Sequence, residues 1–339
     1  MKYPERLKPQ DTIGICAPSD GIAEEFDKQR LELAIQNLRQ MGYTVIETAS
    51  VRNSQKGRST SASKRAEEFM QLMEDETVKL ILFAGGGDFL LEMIPFVDWE
   101  KLKKLPPKWM QGFSDITGIT FLCNTLLDWA SIYCEGVKDY AMQPLYRNLQ
   151  DALRLASGEE VKQESFAFYE GGEEVENQNP SQGYQLTKPV CWKSITKEET
   201  VKVTGRALGG CLDVLECFFG TKYDNIKQYC NRYQEDGIIW FLDCYEMTSP
   251  GVTRKLWQMK EAGYFDNCRA ILLGRPYRIR EDYDISFEEA VLDALQDLSI
   301  PIITGVDIGH VAPQFAMVNG AIIQVEVKEQ KGSITTYFR

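Results

Sequence analysis

The sequence holds a single histidine among its 339 residues, so any chemistry that needs an imidazole has one address, His310. Cysteine is present nine times, but no two are spaced C-x2–4-C, which argues against a zinc or iron–sulfur ligation pattern. The scattered thiols, from Cys16 to Cys268, read as small buried residues of a reduced protein. Basic residues are in deficit, 38 Lys and Arg against 50 Asp and Glu, for a net charge of -12. A polyanion such as nucleic acid is therefore a poor match as partner. No apolar run approaches a membrane span, and the opening "MKYPERLKPQDTIGICAPSD" lacks the apolar region of a secretion signal. The expectation is a soluble cytoplasmic protein. Also missing are a G-x-G-x-x-G fingerprint, a Walker lysine, internal repeats and low-complexity tracts.

What is present is a balanced globular composition, 43% hydrophobic and 26% charged, on a chain long enough for two domains. The first half alternates strand and helix signals. "DTIGICAPS", "YTVIETA", "VKLILFAGGGD", "KWMQGFS" and "SIYCEG" read as strands, separated by helices such as the one that Gly42 stops. That alternation predicts a doubly wound, mostly parallel α/β sheet over residues 1–157. Residues 158–200 are polar, acidic and weakly periodic, and read as a linker or excursion. Alternation resumes over 201–339, predicting a smaller α/β domain that ends in a β-hairpin.

Open α/β sheets bind ligands beyond the carboxyl ends of their strands. Three reactive residues fall there: Ser114 after "KWMQGF", Asp243 after "GIIWFL" and His310 after "PIITGVDIG". A serine, a carboxylate and a histidine are the parts of a nucleophile triad. Each also has a plain structural role open to it. Ser114 suits a helix cap, Asp243 a turn with Glu246 as rival acid, and His310 a packed imidazole. The "AGGGD" stretch at 84–88 suits an oxyanion hole, a phosphate cradle or a simple tight turn.

"GICAPSD", the glycines at 86–87, "IPFVDWEKL", "GFSDITG", "GRALGGCLDVLECFFGT", "IIWFLDCYE", "GYFDNCRAILLG" and "GH" at 309–310 occur in the order of one family. Across residues 7 to 325 the chain resembles the serine LD-carboxypeptidases, which include the microcin C self-immunity peptidases. The resemblance implies a nucleophile domain, a second domain carrying acid and histidine, a homodimer, and no metal or other cofactor. It assigns Ser114 as nucleophile, His310 as base, and the amides of Gly87 and Asp115 as oxyanion donors. The family's acid is a glutamate, and its position here is Asp243, one methylene shorter, with Glu246 the alternative.

The substrate so implied is a small peptide cut at an L,D junction, foremost the terminal D-alanine of cytoplasmic murein tetrapeptides. A peptidyl or aminoacyl nucleotide of the microcin type is the alternative, with Trp192 as the candidate to stack on its base. A binding homologue without activity is the third reading. Arg206, Arg254 and Arg275 are candidates for a substrate carboxylate.

Overall fold

The computed structural model describes residues 1–171, 179–196 and 200–339. The chain divides into two compact units, one built on Met1–Glu159 and the other on Tyr184–Arg339 plus the stretch beginning at Glu160.

The first unit runs β1 (Thr12–Cys16), α1 (Glu25–Gln40), β2 (Thr44–Glu47), α2 (Ala62–Glu74), β3 (Val78–Phe83), α3 (Trp99–Leu102), β4 (Trp109–Gly112), α4 (Thr117–Leu127), β5 (Ser131–Tyr133) and α5 (Arg147–Ala156). Its five strands lie in the order β5-β4-β3-β1-β2, and every neighbouring pair is parallel. Burial explains the composition. β1 and β4 are buried at every position and β3 at all but Lys79, as a sheet covered on both faces requires. α1 buries Leu31, Ala34, Ile35 and Leu38, an i, i+3, i+4, i+7 stripe. Gly42 follows at φ 95°, the left-handed residue that ends such a helix. Because chain order reverses about β1, the crevice of this unit opens beyond the carboxyl ends of β1 and β3. A cavity of about 270 Å³ lies at these strand ends, lined by Ala84, Gly85, Gly86, Gly112 and Phe113.

The second unit contains β6 (Lys162–Glu164), β7 (Phe168–Tyr169), β8 (Lys188–Pro189), β9 (Lys193–Ser194), β10 (Thr200–Cys211), α6 (Leu212–Leu215), α7 (Ile226–Arg232), β11 (Ile238–Asp243), α8 (Ser249–Glu261), β12 (Cys268–Gly274), α9 (Phe287–Leu295), β13 (Ile302–Val306), β14 (Met317–Asn319), β15 (Ile322–Lys328) and β16 (Lys331–Tyr337). Eight strands form one sheet in the order β6-β16-β15-β10-β11-β12-β13-β9. β10 to β13 are parallel, while the expected terminal hairpin β15–β16 joins antiparallel to β10. The start of α9 carries a full capping box, Ser286 with Glu289.

Two differences from the sequence reading matter. The stretch 158–200 is not only a connector, since β6 and β9 occupy the two edges of the sheet. The 12-residue β10 is absent from the sequence reading, because Gly205, Gly209 and Gly210 weaken its strand pattern. Its neighbour explains the glycine: a Cβ on Gly209 would stand 1.7 Å from the Phe241 carbonyl oxygen. Among the described residues, no helix is long and apolar enough to cross a membrane.

Candidate active site

Ser114 is presented by an abrupt turn. β4 ends at Gly112, Phe113 continues extended, and Ser114 then adopts φ 61°, a left-handed conformation that costs a residue with a side chain. A single 3-10 turn, Ser114–Ile116, leads into α4. The cap expected of Ser114 is not what the structure shows, because the cap positions fall on Phe113 and Ile116. A capping residue needs an extended backbone, and the positive φ of Ser114 rules that out.

The glycine loop after β3 packs on this turn. A Cβ added to Gly86 would lie 3.0 Å from the Ser114 Cβ, 3.1 Å from its Oγ and 3.6 Å from the Asp115 nitrogen. Gly87, at φ 142°, turns its α-carbon towards Ser19, where a Cβ would meet the Oγ at 2.5 Å. The buried Asp115 side chain fastens the three loops together. It accepts from Ser19 Oγ at 2.5 Å and from the Leu90 amide at 2.9 Å. Burial pushes this carboxyl above the usual carboxylate range, and those two donors pull it back in part. Sequence reasoning overlooked Ser19, which looked like any loop residue after a strand. It also overlooked Tyr133, whose hydroxyl accepts from the Ser114 amide at 3.5 Å.

In the second unit the imidazole and a carboxylate are joined directly. Asp243 is the last residue of β11 and has no exposed surface. Its Oδ2 lies 2.5 Å from His310 Nδ1, and its Oδ1 accepts from the His310 amide at 3.4 Å. A carboxylate at Nδ1 assigns the proton to that nitrogen, leaving Nε2 with a lone pair to accept another. The shorter acid reaches because Gly309 lets the chain come close. At φ 94° its Cα faces the acid so tightly that a Cβ would stand 1.9 Å from Asp243 Oδ1. Tyr245 leans on the imidazole at 4.3 Å between centroids, and Tyr277 stacks behind at 5.5 Å from Tyr245. Asp213 holds that loop by accepting from the Tyr245 and Glu246 amides at 3.0 and 3.1 Å. Glu246 points elsewhere, exposed and paired with Arg278 at 3.1 Å.

Residues 13–134 match the LD-carboxypeptidase N-terminal domain and residues 204–325 the LD-carboxypeptidase C-terminal domain. The chain belongs to the LD-carboxypeptidase family. Among its relatives, the microcin C7 self-immunity protein MccF of Escherichia coli is 24% identical, over 97% of this chain and 94% of that one. A Bacillus subtilis protein named "Probable murein peptide carboxypeptidase" is 22% identical over 98% and 93% of the two chains. In fold, the chain is similar to an MccF-like protein from Streptococcus pneumoniae, solved in complex with AMP. That match has TM-score 0.78 and 24% identity, and covers 96% of this chain and 98% of that one.

Three of the remaining candidates of this family member are buried framework. Trp192 is core, not a stacking surface: it is wholly buried, donates from Nε1 to Asp307 at 2.9 Å and packs on Phe315. Arg275 is buried, pairs with Asp307 and donates to the Val311 and Pro313 carbonyls. Arg206 is likewise buried and donates to Asp236 at 2.6 and 2.9 Å. Arg254 is exposed on α8. Among the described residues, one group of potential metal donors lies close together, Cys211 with Asp243 and His310, their donor atoms within 4.8 Å of one another.

Proposed function

We propose that the protein is a serine hydrolase that cleaves an amide bond at an L,D junction near a peptide's free carboxyl end. The terminal D-alanine of murein tetrapeptides is its foremost substrate. The observation that carries this reading is the 2.5 Å bond between His310 Nδ1 and a fully buried carboxylate, Asp243. An imidazole so held has its tautomer and orientation fixed, which is the condition for a general base.

In this mechanism Ser114 attacks the scissile carbonyl and His310 Nε2 takes the hydroxyl proton. The amides of Gly87 and Asp115 receive the oxyanion, and His310 returns the proton to the leaving amine. Water then repeats the cycle on the acyl-enzyme. Asp243 stays ionised and steadies the imidazolium throughout. The strained φ of Ser114 supports its role, since such strain persists where surrounding structure enforces it for a purpose. The sequence of steps needs no cofactor. A homodimer in the cytoplasm belongs to the same reading.

Hydrolysis of aminoacyl nucleotides is the second reading, supported by the self-immunity relative and by the AMP complex of the S. pneumoniae protein. It loses its proposed base platform, because Trp192 is buried. The reading as an inactive binding homologue rested on the shorter acid, and Asp243 reaches His310 regardless. A panel of murein tetrapeptide, tripeptide and aminoacyl sulfamoyl nucleotide tests the choice. Release of D-alanine from tetrapeptide is expected. Turnover of the nucleotide alone would sink the murein reading, and no turnover with no acylation of Ser114 by a serine-directed probe would sink both.

A further inference from the structure

β10 and β11 run side by side with Cys211 in register with Asp243, so the last residue of each strand meets at the same sheet end. His310 arrives there from the loop after β13. One donor atom from each, the Cys211 Sγ, an Asp243 carboxylate oxygen and a His310 ring nitrogen, all lie within 4.8 Å of one another. Cys211 and Asp243 are buried and His310 is nearly so. We propose that Cys211, Asp243 and His310 form an inhibitory site for a thiophilic divalent cation of the zinc class.

Chemistry and charge both favour this occupant. Sulfur, nitrogen and carboxylate oxygen are the zinc donors, and three protein ligands with one open position are a recurrent arrangement. A thiolate and a carboxylate neutralise a divalent ion, so the assembled site carries no net charge, which is what a buried location tolerates. Without the ion, burial and the carboxylates of Asp243 and Asp213 keep the thiol protonated. The geometry needs modest adjustment. Zinc bonds of about 2.0–2.3 Å put tetrahedral donors roughly 3.3–3.8 Å apart. The His310–Asp243 contact must therefore widen by about 1 Å, and the sulfur must come within the same range by side-chain rotation.

The proton balance predicts the effect. The ion replaces the thiol proton, which is released, and the Nδ1 proton, which leaves for solvent while Nε2 takes one up. His310 then has no lone pair at Nε2 for a serine proton, and Asp243 no longer supports the imidazole. The ion is an inhibitor here, not a cofactor. The consequence for turnover rests on the proposed hydrolase reading, whereas ion binding does not.

Cobalt(II) serves as the optical probe and zinc as the inhibitor, on the full-length protein, its Cys211→Ser variant and its Cys211→Ala variant. One equivalent of cobalt should give the near-ultraviolet charge-transfer band of a thiolate–metal bond, absent from both variants. Zinc should inhibit D-alanine release, with a midpoint at least about tenfold higher in either variant. Cys211 lies outside the proposed catalytic machinery, so activity without metal should persist in the serine variant. No thiolate band in the wild type, or an equal band and equal zinc sensitivity in both variants, would overturn the site. A band lost in the variants, on a protein that hydrolyses nothing in the panel, would uphold the site and fail the hydrolase reading instead.

Discussion

The Ser114 end of the first unit and the His310 end of the second solve different problems. Around Ser114 the important atoms belong to the backbone: a left-handed φ, two glycines, and amides at the start of a turn. Around His310 they belong to side chains: a buried carboxylate on Nδ1, with Tyr245 and then Tyr277 stacked alongside. A backbone-built site is broken by adding atoms, and a side-chain-built site by removing them. The two units should therefore respond to different classes of substitution.

The largest effect belongs to the nucleophile. Ser114→Ala should lower turnover of tetrapeptide by about 10⁴-fold or more and abolish labelling by an acylating probe. Asp243→Asn comes next, with kcat falling about 10³–10⁴-fold while far-UV circular dichroism is unchanged, because the amide supports the wrong tautomer. A substitution that adds one methyl group crosses between the two classes. Gly309→Ala inserts a Cβ against the Asp243 carboxylate, and should cost about 1–3 kcal/mol in urea unfolding together with most of the activity. Smaller is Tyr245→Leu, which removes the ring face beside the imidazolium; a loss of roughly 2- to 10-fold in kcat/KM is expected. Smallest is Glu246→Gln. Glu246 is exposed and paired with Arg278, so activity should stay within about twofold. A collapse of activity in that last variant would reverse the assignment of the acid.

Legibility in the sequence followed the same divide. Apolar runs such as "VKLILF" and "IIWFLD" declared their strands, and residues just beyond those strands drew attention as reactive groups. β10 stayed hidden because periodicity reads side chains, and three of its twelve residues have none. Trp192 misled for the opposite reason, a large aromatic in a polar stretch that turns out to be wrapped by core residues. Strand-end register favours Asp243 over Glu246, three positions further on, and the structure turns the Asp243 carboxylate inward at the end of β11. The signal that was available, a glycine immediately before the only histidine, becomes meaningful once its φ of 94° is known.

That glycine also says something about tolerance to mutation. Every one of the other nineteen amino acids carries a Cβ, so Gly309 has no conservative replacement at all. In a saturation library its column should be as empty as those of the residues that perform the chemistry, although it performs none. A residue defined by what it lacks can be as unforgiving as one defined by what it donates.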